Sequence, residues 1–365
     1  EKMFETYYND PINAVDAKFE AQKIAFAPLT FQAARALRDL GILDAVSESR
    51  KKGMSVPELS SRLGLSPYGV GVLVEMGLGM GALKLVKDAE GDNLRYTLGK
   101  IGFFLMKDEM TQVNMDFSQD ICYLGAMDMQ DCIKEGKPKG LAHLGPWKTV
   151  YEGLSQLTEQ EKKSWFGFDH FYSDLAFPEC LPIVYGKPVG RLFDIGGNTA
   201  KWAIASCRFN KDVKVSIVDL PGQTAVAQKN AEEAGFASRI DMVPCNVLDK
   251  TTEFPKGADA VWMSQFLDCF SLSEITGILS KISRAVGPET DIYVLEPLWD
   301  HQRFEAAAYS LQATSLYFTC IANGNSKMYR FEELKQAVEA GGFRFADAHH
   351  NLGPNSYSLL RFRKA

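Results

Sequence analysis

The stretch Leu192-Phe193-Asp194-Ile195-Gly196-Gly197-Asn198-Thr199-Ala200 decides the fold. Residues 190–195 are mostly apolar and predict a buried strand, and residues 199–207 have the spacing of a helix. Two glycines between a strand and a helix let the backbone come close to a ligand, and open α/β sheets bind ligands beyond the carboxyl ends of their strands. An ordinary strand-to-helix turn needs only one glycine, so the stretch alone does not identify a ligand.

The chain on either side of this stretch has a regular order of elements from Pro188 onward. Strand patterns alternate with helix patterns and close with a hairpin, which predicts an α/β fold with a mostly parallel, doubly wound sheet. We expect strands at 190–195, 214–219, 239–247, 258–266, 291–296, 343–349 and 356–362, and helices at 199–207, 222–235, 271–286 and 331–340.

An acidic residue ends the second of these strands. Asp219 lies 22 positions after Gly197, where a carboxylate can accept hydrogen bonds from both hydroxyls of a ribose; the alternative is a helix N-cap. A dinucleotide and S-adenosylmethionine both contain a ribose. A dinucleotide site requires G-x-G-x-x-G, which residues 196–201 do not match. Because the sheet also ends in an antiparallel hairpin, as methyltransferase sheets do, S-adenosylmethionine is favoured.

The first part of the chain has a different, mostly helical pattern. Ser55-Val56-Pro57-Glu58-Leu59 is a capped helix start, and Ser66-Pro67 begins another helix. Two short strands, 83–86 and 95–98, flank the turn Glu90-Gly91-Asp92-Asn93. This order predicts a winged helix, a fold that often binds DNA. No Lys or Arg occurs between Ser66 and Leu83, and a DNA-reading helix needs cations, so a packing or dimerisation module is favoured.

Composition supports a soluble two-domain protein. The chain has 365 residues, 46% of them apolar and 24% charged, with a net charge of −6. This mild acidity argues against nucleic acid or an anionic membrane as the main partner. The seven Cys include no C-x-x-C pair and there are five His, so we expect free thiols, a reducing compartment and no metal site. The most apolar stretch, 69–86, contains Glu75 and Lys84, so we do not expect a membrane helix. We expect the protein to be cytoplasmic.

Taken together, these motifs resemble the S-adenosylmethionine-dependent O-methyltransferases of the plant caffeate and bacterial hydroxyneurosporene or polyketide type. The resemblance rests on residues 193–197, on Val218-Asp219-Leu220-Pro221, and on residues 265–271, which stand where the family has L-H-D-W-S. It implies a Rossmann-like seven-stranded methyltransferase sheet preceded by a mostly helical winged-helix dimerisation domain. The implied domains are 1–105 for dimerisation, 106–180 as a helical linker and substrate-pocket region, and 181–365 for the donor. A homodimer that methylates a small-molecule aromatic or polyketide-like hydroxyl is implied.

The resemblance also implies roles for individual residues. The methyl donor would contact the following positions: Gly196 and Gly197 at its methionine part, Asp219 at the ribose, Leu220 at the adenosine, Asn246 and Val247 at the adenine, and Ser264 where plant members have a Lys. Asp268 takes the place of the catalytic His, and Glu296 stands where the family often has an acidic residue near the base. Asn198 and Ala200 replace two glycines of the family's loop, and Asn246 replaces an Asp.

Asp268 leaves three interpretations open. It is a base whose pKa is raised by apolar neighbours, or it only orients an acceptor, or it is structural and catalysis is absent. His170 and His301 are further candidates for the missing His. For the function of the whole chain, O-methylation is favoured. The alternatives are methyl transfer to nitrogen or carbon, a catalytically inactive or non-methylating S-adenosylmethionine-binding regulatory protein and, last, a DNA-binding regulator.

Overall fold

In a computed structural model of the chain, the structure describes residues 2–87, 94–172 and 174–365. The helices are α1 Lys2–Tyr8, α2 Ala14–Ala25, α3 Ala27–Asp39, α4 Ile42–Ser49, α5 Val56–Leu63, α6 Pro67–Gly79, α7 Lys100–Lys107, α8 Glu109–Phe117, α9 Met129–Glu135, α10 Val150–Gly153, α11 Glu159–Phe171, α12 Phe177–Val184, α13 Lys201–Phe209, α14 Pro221–Glu233, α15 Leu272–Ala285, α16 Glu305–Tyr317 and α17 Phe331–Ala340. The strands are β1 Leu83–Leu85, β2 Tyr96–Leu98, β3 Arg191–Ile195, β4 Lys214–Asp219, β5 Ile240–Pro244, β6 Ala260–Ser264, β7 Asp291–Glu296, β8 Phe343–Leu352 and β9 Tyr357–Lys364.

The chain forms two compact units, residues 9–118 and residues 1–8 together with 119–365. The smaller unit has a helical core built around α3 to α6, with Leu37, Ile42, Leu59 and Val74 fully buried. Strands β1 and β2 pair antiparallel beside it. These are the helices and the hairpin strands of the predicted winged helix, whereas the predicted turn at 90–93 lies outside the described residues.

Helix α2 differs from the other long helices of the smaller unit because none of its residues is buried. Its apolar side chains are exposed, with Val15 at 79%, Phe19 at 52% and Ile24 at 77% of their full accessibility. A helix with apolar side chains normally covers them against another element. The apolar side chains of α2 are therefore available for contact with another protein chain.

The larger unit contains a seven-stranded sheet in the order β5-β4-β3-β6-β7-β9-β8. The first five strands are parallel, and β9 and β8 run antiparallel, as the alternation and the closing hairpin predict. Strand β3 pairs with β4 on one side and β6 on the other, so the strand order reverses there. Ligands of open α/β sheets bind at this switch point.

Helices cover both faces of the sheet, so most side chains on both faces of its central strands are apolar. On one face Trp202 of α13 stacks on Trp262 of β6 with ring centroids 3.6 Å apart. On the other face α15 buries Ile275, Leu279 and Ile282, one stripe of a helix. The predicted capping box at its start is present: the Ser271 hydroxyl accepts the Glu274 N–H, and the Glu274 carboxylate accepts the Ser271 N–H.

None of the helices in the described residues is both long enough and apolar enough to cross a lipid bilayer.

Candidate active site

The loop between β3 and α13 has an unusual backbone. Gly196 has φ 74°, Asn198 has φ 46° and Ala200 has φ 67°, all in the left-handed region that favours glycine. The family that the sequence resembles has glycine at the positions of Asn198 and Ala200. Because these two non-glycine residues adopt the left-handed conformation, the loop has the same shape but carries backbone strain. A Cβ on Gly196 would lie 2.3 Å from the Phe266 ring, which leaves no room for a side chain.

Asp219 fixes this loop from the end of β4. Its Oδ2 accepts the Asn198 N–H at 2.9 Å, and its Oδ1 accepts the Leu220 N–H at 2.7 Å. Burial raises the pKa of Asp219, and these two amide donors oppose the rise. Each carboxylate oxygen keeps a second acceptor position, so hydroxyls of a ribose remain possible partners.

Asp194 is a member of this site that sequence reasoning missed. Its side chain is 2% exposed, and its Oδ2 accepts no hydrogen bond. Burial, together with the nearby Asp219, raises the pKa of Asp194 to about 8. A Cβ on Gly197 would lie 2.9 Å from that oxygen. A carboxylate inside an otherwise apolar strand was the sequence signal that could have identified Asp194 as a site residue.

The unsatisfied oxygen of Asp194 fits the expected donor. S-adenosylmethionine carries an ammonium group on its methionine part, and a buried carboxylate oxygen without a partner is stabilised by such a group. The glycine loop and Asp219 provide the close backbone approach and the ribose acceptor. The residues present are therefore compatible with the donor that the motifs predict.

The remaining donor-site candidates follow neighbouring strands of the sheet. Leu220, directly after β4, is 43% exposed. Asn246 is exposed just beyond β5, and its Oδ1 accepts the Leu248 N–H at 3.0 Å. Val247 is buried, and its carbonyl accepts a hydrogen bond from Lys281. Ser264 ends β6 and is half-buried at the switch point.

Asp268 and Glu296 are both buried, 6% and 2% exposed. Glu296 ends β7, and its Oε1 accepts the N–H groups of Phe266 at 3.2 Å and Leu267 at 3.0 Å. The Glu296 carboxylate thus lies under the short 3-10 turn Leu267–Cys269 that carries Asp268. Ser271 caps the following helix, so Asp268 has no capping role there.

The two carboxyl groups influence each other. Burial raises the pKa of Asp268 to about 7, with a further rise from Asp169, while the Cys269 thiol opposes it. Burial, and next the Asp268 carboxylate, raise the pKa of Glu296 well above its usual range. Two desolvated carboxyl groups near each other cannot both ionise easily. One of them is therefore suited to take up a proton near neutral pH.

Two tyrosine hydroxyl groups lie near this pair, and sequence reasoning gave no role to them: Tyr357 is influenced by both carboxyl groups, and Tyr317 by Cys269 and Asp169. The indole N–H of Trp165 donates to the Tyr317 hydroxyl at 3.1 Å. The side-chain amide of Gln265, the residue after β6, donates to the Tyr357 hydroxyl at 2.8 Å. The aromatic content of the middle region was visible in the sequence, but which rings approach Asp268 depends on long-range packing.

Neither candidate histidine is placed to replace the missing catalytic His. Nδ1 of His170 lies 2.9 Å from the Lys201 ammonium. His301 stacks on His350 with centroids 4.2 Å apart. Among the residues that the structure describes, no histidine is one of the groups that shift the pKa of Asp268. The residue at the base position of the motif is thus a carboxyl group.

Two family models match the chain, and two curated proteins are similar to it. The model of a Dimerisation2-like domain matches residues 18–90, and that of an O-methyltransferase domain matches residues 128–344. The chain is 24% identical over 324 residues to an L-tyrosine C(3)-methyltransferase of Streptomyces lavendulae, covering 88% of this chain and 85% of that protein. It is 29% identical over 132 residues to a 3-hydroxy-5-methyl-1-naphthoate 3-O-methyltransferase of Streptomyces sahachiroi, covering 36% of this chain and 38% of that protein.

Solved structures show the same fold. The apo form of the S-adenosylmethionine-dependent methyltransferase SibL superposes with a TM-score of 0.68 at 23% identity, covering 94% of this chain and 98% of that one. The mitomycin 7-O-methyltransferase MmcR gives a TM-score of 0.67 at 16% identity, covering 96% and 98%. The family match spans more than half of the chain, and the sheet order and glycine loop agree with it. The chain therefore belongs to the O-methyltransferase domain family and is an S-adenosylmethionine-dependent methyltransferase.

Proposed function

We propose that this chain methylates a hydroxyl group of a small aromatic acceptor, with Asp268 as the general base. The observation that carries the proposal is the position of Asp268: a buried carboxyl group above Glu296, at the switch point of the sheet. The pKa of Asp268, raised to about 7, allows a substantial carboxylate fraction at neutral pH and a stronger proton affinity than that of an exposed Asp.

The chemistry asked of Asp268 is the removal of one proton. A phenol has a pKa near about 10, so a base with a pKa of about 7 is much better matched to it than an ordinary Asp. S-adenosylmethionine supplies an electrophilic methyl group when bound. As the carboxylate takes the hydroxyl proton, the oxygen lone pair forms the new bond to carbon and the carbon–sulfur bond breaks. Placement of the acceptor by the surrounding rings lowers the barrier further.

For the donor we propose the residues named by the motifs, with one addition. Gly196 and Gly197 let the backbone approach the methionine part, and Asp219 accepts hydrogen bonds from the ribose. The remaining contacts are Leu220 and Val247 on the adenosine, the Asn246 amide on the adenine, and Ser264 at the end of β6. The addition is Asp194, whose unsatisfied oxygen supports an ammonium contact.

Methylation of an aromatic ring carbon is the second candidate. It is favoured by the similarity to the L-tyrosine C(3)-methyltransferase, which extends over most of both chains. The same base serves this reaction, because removing the phenolic proton makes the carbon beside the hydroxyl nucleophilic. After the ring carbon attacks, the hydrogen on that carbon leaves as a proton and aromaticity returns. The base position thus fits both products.

The test uses S-adenosylmethionine carrying a ¹³C-labelled methyl group and a panel of phenols with free ortho positions. We expect new labelled products, whose carbon–proton NMR correlation separates a methyl ether from a ring methyl. A methyl ether supports the proposal, and a ring methyl replaces it with the second candidate. If the chain binds S-adenosylmethionine and S-adenosylhomocysteine but forms neither a methyl ether nor a ring-methylated compound with any phenol, the regulatory alternative replaces both methylation proposals.

We also infer that the chain works as a symmetric homodimer formed through residues 9–118. The match to the Dimerisation2-like model and the exposed apolar side chains of α2 support this inference.

A further inference from the structure

We propose that Cys269 is a positioning residue for the base: its thiol donates a hydrogen bond to Oδ1 of Asp268 and thereby leaves Oδ2 to take the proton of the acceptor. This inference rests on the proposed function, because it assigns a second residue to the same reaction.

The contact between the two side chains is direct. The Sγ atom of Cys269 lies 3.5 Å from Oδ1 of Asp268, within reach of an S–H donor. Side chains of consecutive residues on a helical turn normally do not face each other, so this contact is a particular feature of the turn Leu267–Cys269. The carbonyl oxygen of Gln265 lies 4.0 Å from the same sulfur. The single thiol proton therefore has a nearer acceptor in the carboxyl group, and a stronger one when Asp268 is ionised.

The backbone of the turn holds the thiol beside the carboxyl group. The side-chain amide of Asn323 donates to the Cys269 carbonyl at 2.7 Å, and the Cys269 N–H donates to the Phe266 carbonyl at 3.2 Å. Earlier in the turn, Glu296 accepts two backbone N–H groups. Because the main chain is fixed on both sides of Asp268, the thiol cannot move away from the carboxyl group by a shift of the backbone.

The Asp268 carboxyl group depends on this thiol for its orientation. Within the part of the chain that the structure describes, no other side chain donates a hydrogen bond to it. Rotation of a carboxyl group about its last bond is only weakly restricted, so without a donor the group would present its oxygens in many directions. A donor on Oδ1 restricts that rotation and aims Oδ2 in one direction, which proton transfer from a bound acceptor requires.

The electrostatics suit a hydrogen-bond donor rather than a nucleophile. Burial, and next the Asp268 carboxylate, raise the pKa of the Cys269 thiol well above its usual range. The sulfur therefore keeps its proton at neutral pH, and because the thiolate is the nucleophilic form, Cys269 does not compete for the methyl group. Burial raises the pKa of Asp268, and the thiol opposes that rise.

Other ionisable groups act on or respond to this pair from separate parts of the fold, and a substitution at Cys269 removes none of them. They are Asp169 of α11, Glu296 of β7, Tyr151 of α10, Tyr317 of α16, Tyr329 before α17 and Tyr357 of β9.

The experiment follows the pH dependence of methylation in Cys269→Ala and Cys269→Ser, with a phenol that the wild-type chain accepts. Cys269→Ala removes the donor, so the midpoint of the rise in rate should move up by about 0.5 to 1 pH unit. Above that midpoint, kcat should stay about 3- to 10-fold below wild type with little change in KM, because the ionised carboxyl group is no longer oriented. Cys269→Ser keeps a donor and should restore both quantities. A wild-type midpoint or a wild-type kcat in Cys269→Ala, or no rescue by serine, would overturn the inference.

The matched control is Cys207→Ala, which removes a different buried thiol. Cys207 lies near the end of α13. Because that helix begins at the carboxyl ends of the strands, its end lies toward the edge of the sheet opposite Asp268. The control should lower the midpoint of thermal unfolding and leave the midpoint of the pH–rate profile unchanged.

A second readout needs no methylation and so separates this inference from the proposed function. In the full chain labelled with ¹³C at the aspartate carboxyl carbons, the Asp268 signal is assigned by its absence in Asp268→Asn and titrated by NMR. We expect a higher titration midpoint in Cys269→Ala than in the wild type or Cys269→Ser. If the midpoint moves but no phenol is methylated, the proposed function fails and the hydrogen bond stands. If phenols are methylated and the midpoint does not move, only the Cys269 inference fails.

Discussion

Asp268 gives the sharpest residue-level prediction. Asp268→Asn keeps the size but cannot take a proton, so turnover should fall by about 100- to 10,000-fold while affinity for S-adenosylhomocysteine stays the same. Steady-state rates with an accepted phenol measure the first quantity and calorimetry the second. Asp241→Asn, an exposed Asp on β5, is the control. Retained turnover in Asp268→Asn would leave this residue only an orienting role.

The pH dependence of the same residue has a definite sign. The carboxylate form is the base, and it dominates above the raised pKa of about 7. The wild-type rate should therefore rise from pH 6 to pH 8. Stability should change in the opposite direction, because a carboxyl group whose folded pKa exceeds its unfolded value stabilises the fold most at low pH, and that contribution is lost as pH rises through the folded pKa. A pH-rate profile that is flat over this range contradicts the base assignment.

Asp219 makes a separate prediction about the donor. Asp219→Ala removes the proposed ribose acceptor and leaves the Asn198 and Leu220 amides without their partner. The loss should weaken S-adenosylhomocysteine binding by about 1–3 kcal/mol. Calorimetry on the variant and on Asp241→Ala, whose affinity should not change, measures the difference. An affinity within a factor of about two of wild type would refute the nucleoside role.

At the scale of elements, the loop between β3 and α13 depends on glycine at one position. Gly196→Ala adds a Cβ where φ is 74° and where the Phe266 ring is 2.3 Å away. Left-handed backbone alone costs about 1–2 kcal/mol per non-glycine residue, and displacement of the ring adds to it. Thermal unfolding should show a lower midpoint, and donor binding should weaken because Phe266 and the loop both shift.

Gly222 is the matched control for this change. It lies in the first turn of α14, with ordinary φ and no atom within 4 Å of an added Cβ. Gly222→Ala should leave the midpoint unchanged or raise it, since alanine restricts the unfolded chain without strain here. Equal effects of the two substitutions would mean that the close contact with Phe266 is absent in solution.

At the scale of the whole molecule, the predicted homodimer is tested by sedimentation. We expect twice the monomer mass at micromolar concentration, because the exposed apolar side chains of α2 need a cover. Val15→Glu places a charge on α2 at a site 79% exposed in the single chain, so it should shift the mass toward the monomer without unfolding the chain. Ser61→Glu, at an exposed polar position on α5, is the control. A wild-type monomer refutes the prediction.

The sequence allowed the sheet to be predicted because its signals are local. Apolar strands, the capping box at Ser271 and the closing hairpin all lie within short stretches, and all are present. The family, the donor and the fold class were predicted from the same motifs. Features that join distant residues were not visible: the unsatisfied oxygen of Asp194 and the bonds from Glu296 to the turn before Asp268. Those contacts depend on which strands become neighbours in the sheet, and the local signals in a single sequence do not predict that pairing.

The position of β9 in the sheet has a consequence for the order of folding during synthesis. Strand β9, residues Tyr357–Lys364, lies between β7 and β8, although it is synthesised after the other six strands of this sheet. Until it emerges, one edge of β7 remains open and able to pair with another chain. The strands that form the donor site are made much earlier and must wait for distant partners, which slows folding. A nascent chain arrested before residue 357 should therefore be aggregation-prone and chaperone-bound, even with its catalytic motifs already synthesised.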